Sequence, residues 1–131
     1  MENRKEVHFG PEAREELMEG INTLADAVVC TLGPNGRNVL IDNDGYSSNT
    51  PPTHTKDGVT VAKSITVDGL VKNLGAQMVK AAAVKTADKA GDGTTTSTLL
   101  ARELIKSGLK HLNNEKMLLK LKEVLNKQLK K

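Results

Sequence analysis

Apolar residues recur every three or four positions along the first part of the chain, which is the spacing of one face of an α-helix. The series begins after Gly10-Pro11, where proline suits the first helical position, and it reaches Gly33-Pro34, which stops a helix. We therefore predict one amphipathic helix between these two pairs, preceded by a short edge strand at Val7–Phe9. The apolar stripe consists of Ala13, Leu17, Ile21, Leu24, Val28 and Leu32.

The next part of the chain favours two strands with a long polar connection. Apolar residues cluster or alternate in Asn38–Asp42 and in Val59–Ala62, a pattern typical of strands. The Ser-, Asn- and Pro-rich stretch between them predicts an exposed tip at residues 43–54. We therefore predict a β-hairpin over residues 38–61.

The rest of the chain predicts three more helices. The second covers about residues 68–89, and its Gly75 suits a close contact between helices. The third begins at the threonines of residues 94–96 and is interrupted by Gly108, at a cost of up to ~1 kcal/mol relative to alanine. Asn113-Asn114 is predicted to cap a fourth helix. The fold class is therefore mostly α with a small β-hairpin.

Residues 90–96, with the sequence Ala-Gly-Asp-Gly-Thr-Thr-Thr, have the features of a phosphate-binding segment. Two glycines around Asp92 let the backbone approach a ligand, and the N–H groups of a helix start attract anions. A carboxylate beside a phosphate can also hold Mg²⁺. The alternative is that Asp92 and the threonines only cap the next helix. The segment is neither a Walker A loop nor a G-x-G-x-x-G fingerprint.

Four further blocks occur with this segment in the order, and nearly at the spacing, of a known family. Together they closely resemble the group I chaperonins, the GroEL-like family, over about Lys5 to Leu112. Any one block would be a weak signal, whereas five in register are specific. The other matching blocks are Thr31-Leu32-Gly33-Pro34, Gly36-Arg37-Asn38-Val39, Thr55-Lys56-Asp57-Gly58-Val59 and Gly75-Ala76-Gln77-Met78-Val79-Lys80.

The resemblance implies that ATP and Mg²⁺ are the cofactors. It implies that the Asp-Gly-Thr-Thr-Thr run of residues 92–96 wraps the phosphates and that Asp92 is the metal ligand. It also implies that Asp57 lies near the γ-phosphate as the catalytic residue. The remaining cofactor-binding residues that it implies are Thr31, Leu32, Gly33, Pro34, Lys56, Gly58, Gly93, Thr94, Thr95 and Thr96.

The family's subunits are several times longer than this chain of 131 residues. The resemblance therefore implies only the N-terminal half of an equatorial domain, here a single partial domain over residues 1–131. Unfolded protein clients would bind only through parts absent from this chain, and a second catalytic aspartate has no counterpart in it. Whether the chain hydrolyses ATP is therefore left open. The implied partners are other chaperonin subunits, in a homo- or hetero-oligomer, reached through the hairpin of residues 38–61.

Composition narrows the remaining alternatives. The net charge of +3 is mildly basic, but aromatic residues make up only 2%, so nucleic-acid binding by base stacking is disfavoured. A single cysteine, Cys30, excludes an intrachain disulfide and fits the cytoplasm. No apolar run is long enough to span a membrane. Three hypotheses remain: an ATP-binding equatorial segment, a catalytically weak structural protein that joins or modulates a chaperonin ring, and a basic accessory protein that binds nucleic acid.

Overall fold

The computed structural model describes residues 7–8, 10–42 and 51–130. Helices dominate this part of the chain, and two short strands form an antiparallel hairpin. The predicted class, mostly α with a small β-hairpin, is confirmed. The elements are α1 (Gly10–Val29), β1 (Val39–Ile41), β2 (Thr53–Thr55), α2 (Gly58–Ser64), α3 (Leu70–Ala90) and α4 (Thr94–Leu129).

Helix α1 follows the predicted apolar stripe through its middle. Ile21, Leu24 and Val28 are fully buried. The helix ends at Val29 rather than at the Gly33-Pro34 pair, and Leu32 lies beyond it, 44% exposed. The described part of the predicted edge strand, Val7 and His8, has no strand structure, and Phe9 lies outside the described residues.

The core lies where α1, α2 and α3 meet, and α1 and α3 approach closely through two glycines. A Cβ on Gly75 would lie 2.1 Å from the carbonyl oxygen of Leu17, and one on Gly20 would lie 1.7 Å from that of Lys72. Both distances are far below van der Waals contact, so any side chain would force the helices apart. The predicted close contact at Gly75 is confirmed, and Gly20 is a second such position. The core consists of Ile21, Leu24, Val28, Val61, Ala62, Ala76, Val79 and Ala83.

The second predicted strand, Val59–Ala62, is wrong because these residues form part of α2. The side chain of Asp57 accepts hydrogen bonds from the first backbone N–H groups of α2, and Val61 and Ala62 are buried side by side in the core. The strand that pairs with β1 is Thr53–Thr55. Of the predicted exposed tip, residues 43–50 lie outside the described residues, and Thr53 and His54 belong to β2.

The predicted break between a third and a fourth helix is also wrong, since α4 is one helix of 36 residues. A Cβ on Gly108 would meet open space, so no crowding bends the helix there. The side chain of Asn113 accepts a hydrogen bond of 3.0 Å from Arg14 Nη1 on α1, so it does not cap a new helix. Every residue from 110 to 130 is exposed. In the part of the chain that the structure describes, no helix is long and apolar enough to cross a membrane.

Candidate functional site

Three segments that are far apart in the sequence meet around one open cleft of about 260 Å³. They are the turn after α1, the start of α2, and the turn between α3 and α4. Most of the residues predicted for cofactor binding lie on these segments. The cleft is lined by Leu32, Lys56, Asp57, Gly58, Val59, Gly91, Asp92, Gly93, Thr94, Thr95 and Thr96.

The turn between α3 and α4 depends on two glycines with left-handed backbone conformations. Gly91 has φ +71° and closes α3 with a hydrogen bond from its N–H to the carbonyl of Ala87. Gly93 has φ +81° and precedes the first residue of α4. Other residues adopt such angles only at a cost. Between them, Asp92 is exposed, and its Oδ1 accepts a hydrogen bond of 2.6 Å from the Gly93 N–H.

The start of α4 keeps its hydrogen-bond donors available. The N-cap residue of α4 is Gly93, which has no side chain to cap the helix, and Asp92 accepts from the Gly93 N–H. Among the described residues, the alternative that Asp92 and the threonines only cap α4 is therefore not observed. The first N–H groups of a helix have no partner within the helix. The hydroxyls of Thr94, Thr95 and Thr96 form no hydrogen bond among the described residues. One turn later, by contrast, the Thr98 hydroxyl donates to the Thr94 carbonyl at 2.8 Å.

Gly58 brings α2 against the start of α4. It is buried, and a Cβ at this position would lie 2.7 Å from Thr95 Oγ1. A side chain at position 58 would therefore require the Thr95 hydroxyl to move, although the Thr95 backbone nitrogen, at 3.7 Å, would be in ordinary contact. Gly58 thus places the first turn of α2, which the Asp57 side chain caps, beside the start of α4 at the border of the cleft.

Asp57 lines the cleft and also accepts hydrogen bonds from residues of α2. Its Oδ1 accepts from Val59 N–H at 3.3 Å and its Oδ2 from Thr60 N–H at 3.0 Å, and the Thr60 hydroxyl also donates to Oδ2. The hydroxyl of Thr60 is the main cause that lowers the pKa of Asp57 below 3.8, and the two backbone donors and Lys63 add to it. Since an efficient general base has a pKa near about 7, Asp57 is suited to supply charge and orientation.

Lys56 lies across the turn that follows α1. A Cβ on Gly36 would lie 2.9 Å from Lys56 Cε and 2.2 Å from the Thr31 carbonyl oxygen. Gly36 therefore allows both the tight turn and the approach of the lysine. The turn is closed by a hydrogen bond of 2.8 Å from Arg37 N–H to the Cys30 carbonyl.

Within the first block, only Leu32 lines the cleft. Thr31 is buried, and its hydroxyl donates to the Val28 carbonyl at 2.7 Å. Gly33, with φ +75°, and Pro34 are exposed in the turn. These three residues shape the wall of the cleft rather than face it. Val59 and Gly91 line the cleft but were absent from the predicted set. Val59 follows Asp57-Gly58 directly in the sequence, so its place beside the site could have been predicted. It was instead predicted as part of a strand.

The donor set of the cleft fits a metal ion that is shared with phosphate. Asp57 and Asp92 are its two carboxylates. Residues 7–8, 10–42 and 51–130 contain no cluster of three His, Cys, Asp or Glu side chains that could hold a metal. Mg²⁺ in phosphate-binding sites is held by one or two carboxylates together with water and the phosphates themselves, which is the arrangement that these residues allow.

Comparisons with known proteins point to the same family as the sequence blocks that form the cleft. The model of the TCP-1/cpn60 chaperonin family matches residues 24–131, a range that contains all three segments. The fold is similar to crystal structures of the chaperonin gp146 from the bacteriophage EL 2 (Pseudomonas aeruginosa) in the presence of ATP-BeFx. The TM-scores are 0.65 for crystal form II and 0.64 for crystal form I, each at 37% sequence identity over 72% of this chain.

The match covers only part of those solved chaperonins, since this chain spans 16% of the gp146 chain. Within that part, an identity of 37% supports more than a shared fold. Because the family model also covers most of the sequence, we conclude that the chain belongs to the TCP-1/cpn60 chaperonin family.

Proposed function

We propose that this chain is the ATP- and Mg²⁺-binding equatorial segment of a chaperonin, acting in ATP-dependent protein folding. One observation carries the proposal: three segments with the residue types of a phosphate site converge on one cleft. The gp146 structures, which share the fold, were obtained in the presence of ATP-BeFx. The single cysteine fits a cytoplasmic protein.

The proposal gives each part of the cleft a role. The free N–H groups and hydroxyls at the start of α4 would donate to phosphate oxygens. Asp92 would hold Mg²⁺, which neutralises phosphate charge. Lys56 adds a positive charge to the lining of the cleft, and the ionised Asp57 would orient the reacting groups. Thr31, Gly33 and Pro34 would act indirectly by fixing the turn that carries Leu32.

Substitution of Asp92 tests the metal site. Asp92→Ala removes the proposed Mg²⁺ ligand, so we expect it to lower the Mg²⁺-dependent affinity for ATP by about tenfold or more. Titration calorimetry with ATP, with and without Mg²⁺, measures this difference. Asp88→Ala is the matched control, because Asp88 is an exposed carboxylate near the end of α3 that does not line the cleft. Equal Mg²⁺-dependent affinity in wild type and Asp92→Ala would contradict the assignment.

The second candidate is a catalytically weak protein that joins or modulates a chaperonin ring. It is favoured by the state of Asp57, whose two carboxylate oxygens are both engaged at the start of α2. We expect phosphate release by this chain at saturating Mg²⁺-ATP to be slow, because the lowered pKa of Asp57 makes it a weak general base, whereas a well-matched base typically contributes ~10²–10⁴-fold in rate. Fast turnover that Asp57→Asn abolishes would favour the complete ATPase instead.

We also propose other chaperonin subunits as partners, reached through the hairpin of β1 and β2. Family membership supports assembly with such subunits. Each strand has only three residues, and a hairpin of this size is marginal alone and leaves edges that can pair with another chain.

A further inference from the structure

The turn between α1 and β1 contains the only Asn-Gly pair in the sequence, at residues 35–36. Pro34 and Asn35 are the central residues of this turn, which is closed by a hydrogen bond of 3.0 Å from the Gly36 N–H to the Gly33 carbonyl. Among the described residues, only glycines have a positive φ, so Asn35 fits a type I turn, where Gly is favoured at the last position. Asn35 is exposed, and its side-chain amide forms no hydrogen bond with another described residue.

An asparagine that precedes glycine can react with its own backbone. The nitrogen of the following residue attacks the side-chain Cγ, the Cγ–Nδ2 bond breaks, and ammonia leaves with the proton from the attacking nitrogen. Water then opens the cyclic succinimide at one of its two carbonyl carbons. One product is aspartate, and the other is isoaspartate, whose main chain runs through the former side-chain methylene. Glycine favours the attack because no side chain shields its nitrogen.

The turn controls this reaction through the Gly36 N–H. In the closed turn the N–H donates to the Gly33 carbonyl, so the nitrogen attacks only when the turn opens. A single hydrogen bond in an exposed turn contributes little net free energy, and the turn lies outside the helices and strands, so local opening is frequent. Asn38 is exposed in the same connection, but it precedes Val39, whose branched side chain shields the nitrogen and whose backbone pairs with Thr55.

We propose that Asn35 is a site of spontaneous deamidation and that its isoaspartyl product disturbs the wall of the cleft. A Cβ on Gly36 would lie 2.2 Å from the Thr31 carbonyl oxygen and 2.9 Å from Lys56 Cε. So tight a turn leaves no room for an extra main-chain methylene, which therefore displaces the segment that carries Leu32 to the cleft. Both products also add a negative charge one residue before the glycine that Lys56 approaches.

Incubation of the full chain in mildly alkaline heavy-oxygen water, followed by peptide mapping with mass spectrometry, tests the modification site. We expect heavy oxygen to enter residue 35 about tenfold or more faster than residue 38. Asn35→Gln is the matched control, because its longer side chain closes a larger ring slowly, and it should stay unlabelled at this position. Equal labelling of Asn35 and Asn38, or labelling of Asn35 only after the chain is unfolded in urea, would overturn the proposal.

Melting temperatures test the effect on the turn. Freshly prepared Asn35→Asp has the added charge with an ordinary main chain, whereas aged wild type also contains the isoaspartyl form. We expect the melting temperature of wild type to fall as its isoaspartyl fraction grows, and that of Asn35→Asp and of aged Asn35→Gln to stay near the starting value. An unchanged value in aged wild type, or an equal fall in fresh Asn35→Asp, would overturn disturbance by the longer main chain. Neither measurement uses nucleotide, so these failures leave the proposed Mg²⁺-ATP site standing.

Discussion

At the scale of single residues, Asp57 combines two functions that the sequence did not separate. The Lys-Asp-Gly block indicated a site residue near phosphate, and the carboxylate does line the cleft. The structure adds that the same carboxylate starts α2, where it accepts two backbone hydrogen bonds. A substitution of Asp57 that removes the cap therefore changes local stability together with the charge of the site, and an activity measurement alone would confuse the two effects.

Alanine and asparagine at position 57 separate these effects. Asparagine caps a helix about as well as aspartate, whereas alanine removes the cap at a cost of ~1 kcal/mol. We expect Asp57→Ala to lower the free energy of unfolding by about this amount and Asp57→Asn by clearly less, as measured by urea denaturation at neutral pH. Equal losses in the two variants would show that the charge, and not the capping hydrogen bonds, stabilises this end of α2.

The stability difference between wild type and Asp57→Asn should depend on pH with a definite sign. Because folding lowers the pKa of Asp57 below 3.8, mainly through the Thr60 hydroxyl, the ionised carboxylate stabilises the fold fully above that ordinary value. This contribution is lost as the pH falls through the lowered pKa of the folded state. The stability of wild type relative to Asp57→Asn should therefore decline in acid and stay constant in the neutral range.

At the scale of helices and strands, the periodicity of apolar residues predicted the elements that bury one face against their neighbours. The buried stripe of α1 and the glycine contact of α3 could be predicted from the sequence in this way. Val59–Ala62 could not, because its three β-branched residues favour a strand locally while the Asp57 cap and burial of Val61 and Ala62 favour a helix. The site residues were predicted from the order of the family's blocks. That order could not show which of them line the cleft, since Thr31 is buried and its hydroxyl donates to the carbonyl of Val28, three residues earlier.

Two glycine substitutions measure the contact between α1 and α3. Gly75→Ala would place a methyl group 2.1 Å from the Leu17 carbonyl oxygen, and overpacking of this kind typically costs ~1–3 kcal/mol. Gly108→Ala is the control, because its Cβ meets open space and alanine favours a helix interior by up to ~1 kcal/mol. We expect the melting temperature to fall in the first variant and to rise in the second. A rise in both would show that the two helices are not held at this distance.

At the scale of the whole molecule, the chain has a small aliphatic core and much apolar surface outside it. The buried set centres on α1, α2 and α3, while the part of α4 after residue 109 has only exposed residues. On α4, Leu104, Met117 and Leu129 are each more than 70% exposed. Patches of this kind are typical of surfaces that meet another chain. The hairpin differs from them because it also offers backbone hydrogen-bonding groups along its edges.

The last prediction follows from that difference and concerns self-association. Leu40 lies in the middle of β1, opposite His54, and is 60% exposed. If the hairpin edge joins subunits, a charge at this position opposes pairing, because edge lysines are a known means of blocking contact between sheets. We expect light scattering to show wild-type oligomers and a shift toward monomer for Leu40→Lys, with helicity by circular dichroism unchanged. Leu129→Lys, an exposed leucine at the end of α4, should leave the distribution as in wild type. A wild-type chain that stays monomeric over a wide concentration range would argue against self-association through the hairpin, and a shift in Leu129→Lys alone would place the contact on α4.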